Sequence, residues 1–90
     1  MAAKLVCYKL SNISPVQRTN LHRELYGYID NSNHGKYKYS RKGFLEGKRH
    51  KKVLDCVIMI NNENSKELIK ILRKYKAKVS IFDVFVNTKL

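Results

Sequence analysis

The stretch Val53 to Ile60 (VLDCVIMI) reads as the strongest strand of the chain and restricts the fold more than any other feature. Alternate residues of a strand point to opposite faces. One face of this strand is then Leu54, Cys56, Ile58 and Ile60, wholly apolar. Such a face has to be buried, and helices laid across a sheet are the simplest cover. The opposite face is Asp55, Val57 and Met59.

Two segments supply such helices. Ser14-Pro15-Val16-Gln17 is a helix start: Ser14 caps, Pro15 suits the first helical position and Gln17 completes a capping box. Leu21, Leu25 and Tyr28 follow at helical spacing, and the helix is expected to end between Gly27 and Asp30. Asn64-Ser65-Lys66-Glu67 offers a second capping box, before an apolar stripe of Leu68, Ile71, Leu72 and Tyr75. Asn61 to Ser65 then reads as a turn, and Asn31 to Gly35 as a loop. Lys4 to Leu10, Lys36 to Arg41 and Lys78 to Val86 read as further strands.

The order strand, helix, strand, strand, helix, strand predicts one α+β domain over residues 1–90. With right-handed crossovers it becomes a ferredoxin-like βαββαβ sandwich, a four-stranded antiparallel sheet with two helices on one face. The first and third strands are then central, and the second and fourth lie at the edges. The uncovered face of this sheet should be polar. Here it is expected to carry Leu5, Cys7 and Lys9, then Val57 and Met59, then Ile81, Asp83 and Phe85. That is a large apolar patch to leave in water. The last strand, Val79 to Val86, holds one charge and no proline, so its edge is free to pair. Both features predict a homodimer, through the sheet face or the last strand.

The net charge of +12, from 19 Lys and Arg against 7 Asp and Glu, destabilises a compact chain by self-repulsion and calls for an anionic partner. The excess concentrates in residues 36–52. Lys36, Lys38, Arg41, Lys42, Lys48, Arg49, Lys51 and Lys52 stand against Glu46 alone, with Tyr37, Tyr39, Phe44 and His50 among them. Phosphates want Lys and Arg, and unstacked bases want aromatic faces. These cations, with Tyr37 and Tyr39, are therefore the expected nucleic-acid site on DNA or RNA. A solvated hairpin with its tyrosines packed on the sheet would share the same pattern. The segment Arg41 to Gly47 resembles the RNA-recognition-motif signature only faintly, because the third strand lacks the stacking aromatics.

Cys7 and Cys56 lie inside apolar runs and read as reduced thiols, not a disulfide framework. His22, His34 and His50 have no ligand-like spacing with them, so neither metal nor cofactor is expected. Asp55 and Asp83 are placed where they could face one another across the sheet. No apolar run approaches a membrane span and no signal peptide is visible, which points to the cytoplasm.

The chain resembles the small CRISPR-associated proteins of the second core Cas type and their toxin-like relatives. The resemblance is carried by the tyrosine-ended first strand Leu5-Val6-Cys7-Tyr8, the Ser/Asn turn after it, Arg18 and Arg23 in a basic first helix, and the valine-rich last strand. It implies a ferredoxin-like fold, a dimer formed through the sheets, duplex DNA binding and, in some members, metal-dependent nuclease activity. The family's aspartate after the first-strand tyrosine is Lys9 here, and an ammonium cannot stand in for a Mg²⁺-binding carboxylate. No catalytic residue is carried over. The expected function is non-catalytic nucleic-acid binding by a homodimer. The alternatives are a metal-dependent or His50-assisted nuclease, and an interaction subunit for an acidic protein.

Overall fold

The computed structural model describes residues 2–32 and 37–87. Its elements are β1 (Ala2–Lys9), α1 (Pro15–Tyr26), β2 (Tyr28–Ser32), β3 (Tyr37–Arg41), β4 (His50–Leu54), β5 (Val57–Asn61), α2 (Asn62–Lys74) and β6 (Lys78–Phe85). The chain is α+β. β4, β5, β1 and β6 form a four-stranded sheet in that order, each neighbouring pair antiparallel. β2 and β3 form a separate two-stranded sheet. The larger sheet and the two helices are compatible with the expected ferredoxin-like arrangement.

The core is one cluster. Val6, Ile58 and Ile60 of the central strands meet Leu21 and Leu25 of α1, Leu68 and Leu72 of α2, and Leu45 of the connecting loop. A fully buried Leu or Ile contributes about 1.5–3 kcal/mol, so these few side chains carry much of the fold. α1 begins as its sequence dictates: Ser14 Oγ accepts from the Gln17 amide at 3.1 Å, with Pro15 next to it. Gly27 ends it at φ +80°, its amide donating to the Arg23 carbonyl at 2.8 Å.

Four expectations are corrected. First, Val53 to Ile60 is not one strand. Asp55 and Cys56 form a two-residue turn between β4 and β5, closed by the pair Leu54 and Val57, with Cys56 at φ +65°. Nothing in an Asp-Cys dipeptide announces this turn, since the usual second residue is Gly. Leu54 is consequently exposed rather than in the core. Second, the edge beside β5 is β4, not Lys36 to Arg41, which pairs with β2 away from the main sheet. The Lys-rich composition of β4 hides it as a connection, yet lysine is what a sheet edge tolerates. Third, α2 starts at Asn62, and Ser65 is buried inside it with its hydroxyl donating to the Asn62 carbonyl. Fourth, β6 is shifted by one residue in phase. Val6 is opposite both Ile58 and Ile81, and Lys4 is opposite Asp83. Ile81 and Asp83 therefore lie on the core side. Phe82, opposite Leu5, and Val84, opposite Ala3, lie on the outer face.

Candidate nucleic-acid interface

The basic residues expected to act together are divided between two sheets. Lys38 and Arg41 belong to β3, while Lys51 and Lys52 belong to β4. Lys36 lies outside the described residues, and Tyr37 and Tyr39 are placed only as backbone positions of β3, opposite Ser32 and Asp30. Lys42, Lys48 and Arg49 lie in the connection between β3 and β4.

Several of these cations are already engaged. Arg41 pairs with Asp30 at 3.1 Å across the small hairpin. Lys52 pairs with Asp55 at 3.2 Å and lies over the ring of Tyr26, 5.3 Å from its centroid. Its pKa is raised, first by the hydrogen bond to Asp55. Lys48 is half-buried over the ring of Phe44. Lys38, Lys42, Arg49 and Lys51 are exposed, and among the described residues their charged ends have no ion-pair partner. On β4 the pleat divides the charges: Lys51, opposite Met59, points to the outer face, and Lys52, opposite Ile58, to the core side. A phosphate chain running along this edge would meet cations from both sides.

The connection is a built loop. Leu45 is buried in the core, and the amides of Phe44 and Leu45 donate to the carbonyls of Glu24 and Leu25 at 2.7 and 3.0 Å. These bonds hold Phe44 beside the end of α1. An open groove of about 520 Å³ results, lined by Asn20, Arg23 and Glu24 of α1, by Tyr28, by Lys42 and Phe44, and by Tyr75 after α2. Its three rings each lie under a cation: Arg23 is 4.7 Å from the centroid of Tyr28, Lys48 5.4 Å from Phe44 and Lys74 5.2 Å from Tyr75. Lys74 also pairs with Glu24 Oε1, which raises the lysine's pKa. The second carboxylate oxygen, Glu24 Oε2, is buried and has no hydrogen-bond partner among the described residues. Sequence reasoning singled out Phe44 but missed Tyr28 and Tyr75 as partners in this groove. They are far apart in sequence and were read as helix residues facing the core.

The groups considered for catalysis do not converge. Asp83 of β6 pairs with Lys4 of β1, while Asp55 sits in the β4–β5 turn, with β5 and β1 between the two aspartates. This corrects the expectation that they face one another. His50 Nδ1 is 2.9 Å from the Lys48 carbonyl oxygen, and His22 packs against Tyr26 with ring centroids 4.9 Å apart. Among the described residues no three His, Cys, Asp or Glu side chains gather as a metal site. No described helix is long and apolar enough to cross a membrane. Comparison of the chain with protein-family models, with curated proteins and with solved structures finds no match.

Proposed function

We propose that the chain is a non-catalytic, cytoplasmic nucleic-acid-binding protein that acts as a homodimer of ferredoxin-like subunits, each carrying β2–β3 as an insertion. The observation that carries the binding reading is the pair of exposed cations Arg49 and Lys51 at the β4 edge, with Lys52 on its other side and exposed Lys42 in the preceding connection, on a molecule of net charge +12. Backbone phosphates would be held there without base reading. The unpaired thiols Cys7 and Cys56 suit a reducing compartment. The dimer is supported by the outer sheet face, where Leu5, Cys7, Val57, Met59, Phe82 and Val84 lie together by register. A sheet-mediated dimer is also what the family resemblance implies.

A salt titration of oligonucleotide binding tests this reading. Each phosphate contact releases counterions, so log affinity should fall linearly with log salt. Changing Lys42, Arg49 and Lys51 together to Gln should flatten that slope by about one unit per lost contact. Arg41→Gln should leave it nearly unchanged, because Arg41 is held by Asp30. Absence of binding by the wild type at low salt would refute the reading and favour an acidic protein partner.

A further inference from the structure

We propose that the β2–β3 ribbon enters the major groove of duplex DNA and presents Lys38 and Ser40 to the base edges. The proposal rests on the nucleic-acid reading above and adds to it a duplex ligand and a second contact, away from the β4 edge.

β2 and β3 pair with each other and with no other strand among the described residues. A two-stranded hairpin is marginal in water unless something covers it. Its two faces differ. Tyr28, Asp30 and Arg41 share one face by register. At the root of the ribbon that face turns towards α1, where Arg23 lies 4.7 Å from the ring centroid of Tyr28. Asp30 and Arg41 neutralise one another on it. The opposite face carries Ile29, Asn31, Lys38 and Ser40 by register, and no acid among them. That face is open. Ile29 is 65% exposed, Lys38 and Ser40 are exposed as well, and Lys38 has no ion-pair partner among the described residues.

Shape and charge select the occupant. Two strands about 4.8 Å apart, with their side chains, make a ribbon that fits the roughly 12 Å wide major groove of B-form DNA. In that groove a lysine donates to guanine acceptors, a hydroxyl bonds to several bases, and an apolar side chain meets the thymine methyl. Lys42 and Arg23 stand beside Tyr28 at the root of the ribbon, where the phosphates along the groove wall would run. By sequence the segment from Tyr28 to Lys42 sets Lys36, Lys38, Arg41 and Lys42 against Asp30 alone, so its charge matches a polyanion. The major groove of an RNA duplex is too deep and narrow for side chains to read. A single strand has no groove at all. The ligand is therefore duplex DNA.

The test uses the full chain and one mixed-sequence duplex, made as DNA and as RNA, at low salt. The DNA should bind about tenfold more tightly, the scale of one base contact. Methyl green, which occupies the major groove, should displace the protein, and netropsin, which occupies the minor groove, should not. Ser40→Asp and, separately, Lys38→Gln should each weaken binding to the DNA duplex about tenfold, with an unchanged melting temperature. Gln17→Glu makes the same charge change in the exposed first turn of α1 and should weaken it less than about twofold. Equal affinity for the two duplexes, displacement by netropsin alone, or equal effects of the three substitutions would overturn the proposal and leave phosphate binding at the β4 edge intact. So would a Ser40→Asp protein that turns monomeric but binds DNA normally, since the ribbon would then be an arm on a second copy. Failure of both duplexes to bind would remove the underlying reading as well.

Discussion

Val6 and Ile81 stand opposite one another across β1 and β6, which puts Ile81 on the core side of the sheet and Phe82 on the outer side. This register decides which substitutions should disturb a dimer. Met59→Lys and Phe82→Lys place charge in the middle of the outer apolar face, and each should shift the protein from dimer towards monomer at micromolar concentration. Ile81→Lys should do so less. Sedimentation velocity is the measurement. A wild type that sediments as a monomer of 10.6 kDa at every concentration would remove the dimer altogether.

Gly43 should tolerate no side chain. A Cβ there would lie 2.3 Å from the Gly27 amide nitrogen and 2.5 Å from the Leu25 carbonyl oxygen, both rigid backbone atoms. Gly43→Ala should therefore cost at least about 1–3 kcal/mol, the range for overpacked sites. Leu45→Ala, two residues on, should cost about 2–5 kcal/mol by emptying a core position. Urea unfolding checks both. Gly47→Ala is a control for space alone, since a Cβ there meets nothing within 4 Å, although its φ of +78° still carries strain.

The β4–β5 turn should be improvable. Cys56 occupies the left-handed region at φ +65°, where a residue with a Cβ pays about 1–2 kcal/mol and glycine does not. Glycine loses more entropy on folding, by about 0.5–1 kcal/mol. Cys56→Gly should thus gain about 0.5–1 kcal/mol, seen as a higher urea midpoint with an unchanged slope. Cys56→Val should lose stability in the same assay.

Alkaline pH should weaken the fold through Tyr8. Burial, and then the neighbouring Tyr26 and Cys56, push its pKa well above a tyrosine's ordinary value of about 10. Below pH 10 folded and unfolded chains both keep the proton, and stability does not depend on it. Above pH 10 the unfolded chain releases the proton first, so the unfolded state binds fewer protons and stability falls as pH rises towards the folded value. Melting temperature should drop from about pH 10 upward, and Tyr8→Phe should make that drop shallower. Lysine deprotonation occurs in both proteins and largely cancels in the comparison.

The helices and the existence of the first and last strands were legible because each depends on local rules. Ser14-Pro15 marks the start of α1, and Leu68 and Leu72 mark the buried side of α2. The middle of the chain was not legible, for reasons specific to it. His50 to Leu54 has the charge of a loop but becomes an edge strand, because one side of an edge faces water. Tyr28 to Ser32 looks like a fraying helix end, but Gly27 terminates α1 and β3 supplies a pairing partner. The phase of β6 depends on its register against β1, and a segment apolar on both faces leaves that ambiguous. The candidate groove was hidden for a different reason: Tyr28, Phe44 and Tyr75 meet only in three dimensions. The lysine-rich segment drew attention to Lys42 and Phe44, which line that groove.

The contact between Gly27 and Gly43 also makes the small hairpin separable. Residues 28–42 leave the body and return to it at nearly the same point, so the two ends are already within reach of a short graft. A stretch inserted in this way can change in length and composition without changing how Leu21, Leu25 and Leu45 pack beneath it. Exchanging residues 28–42 for an unrelated hairpin should leave the rest of the chain folded. The body supplies the mounting, and the hairpin is the replaceable part.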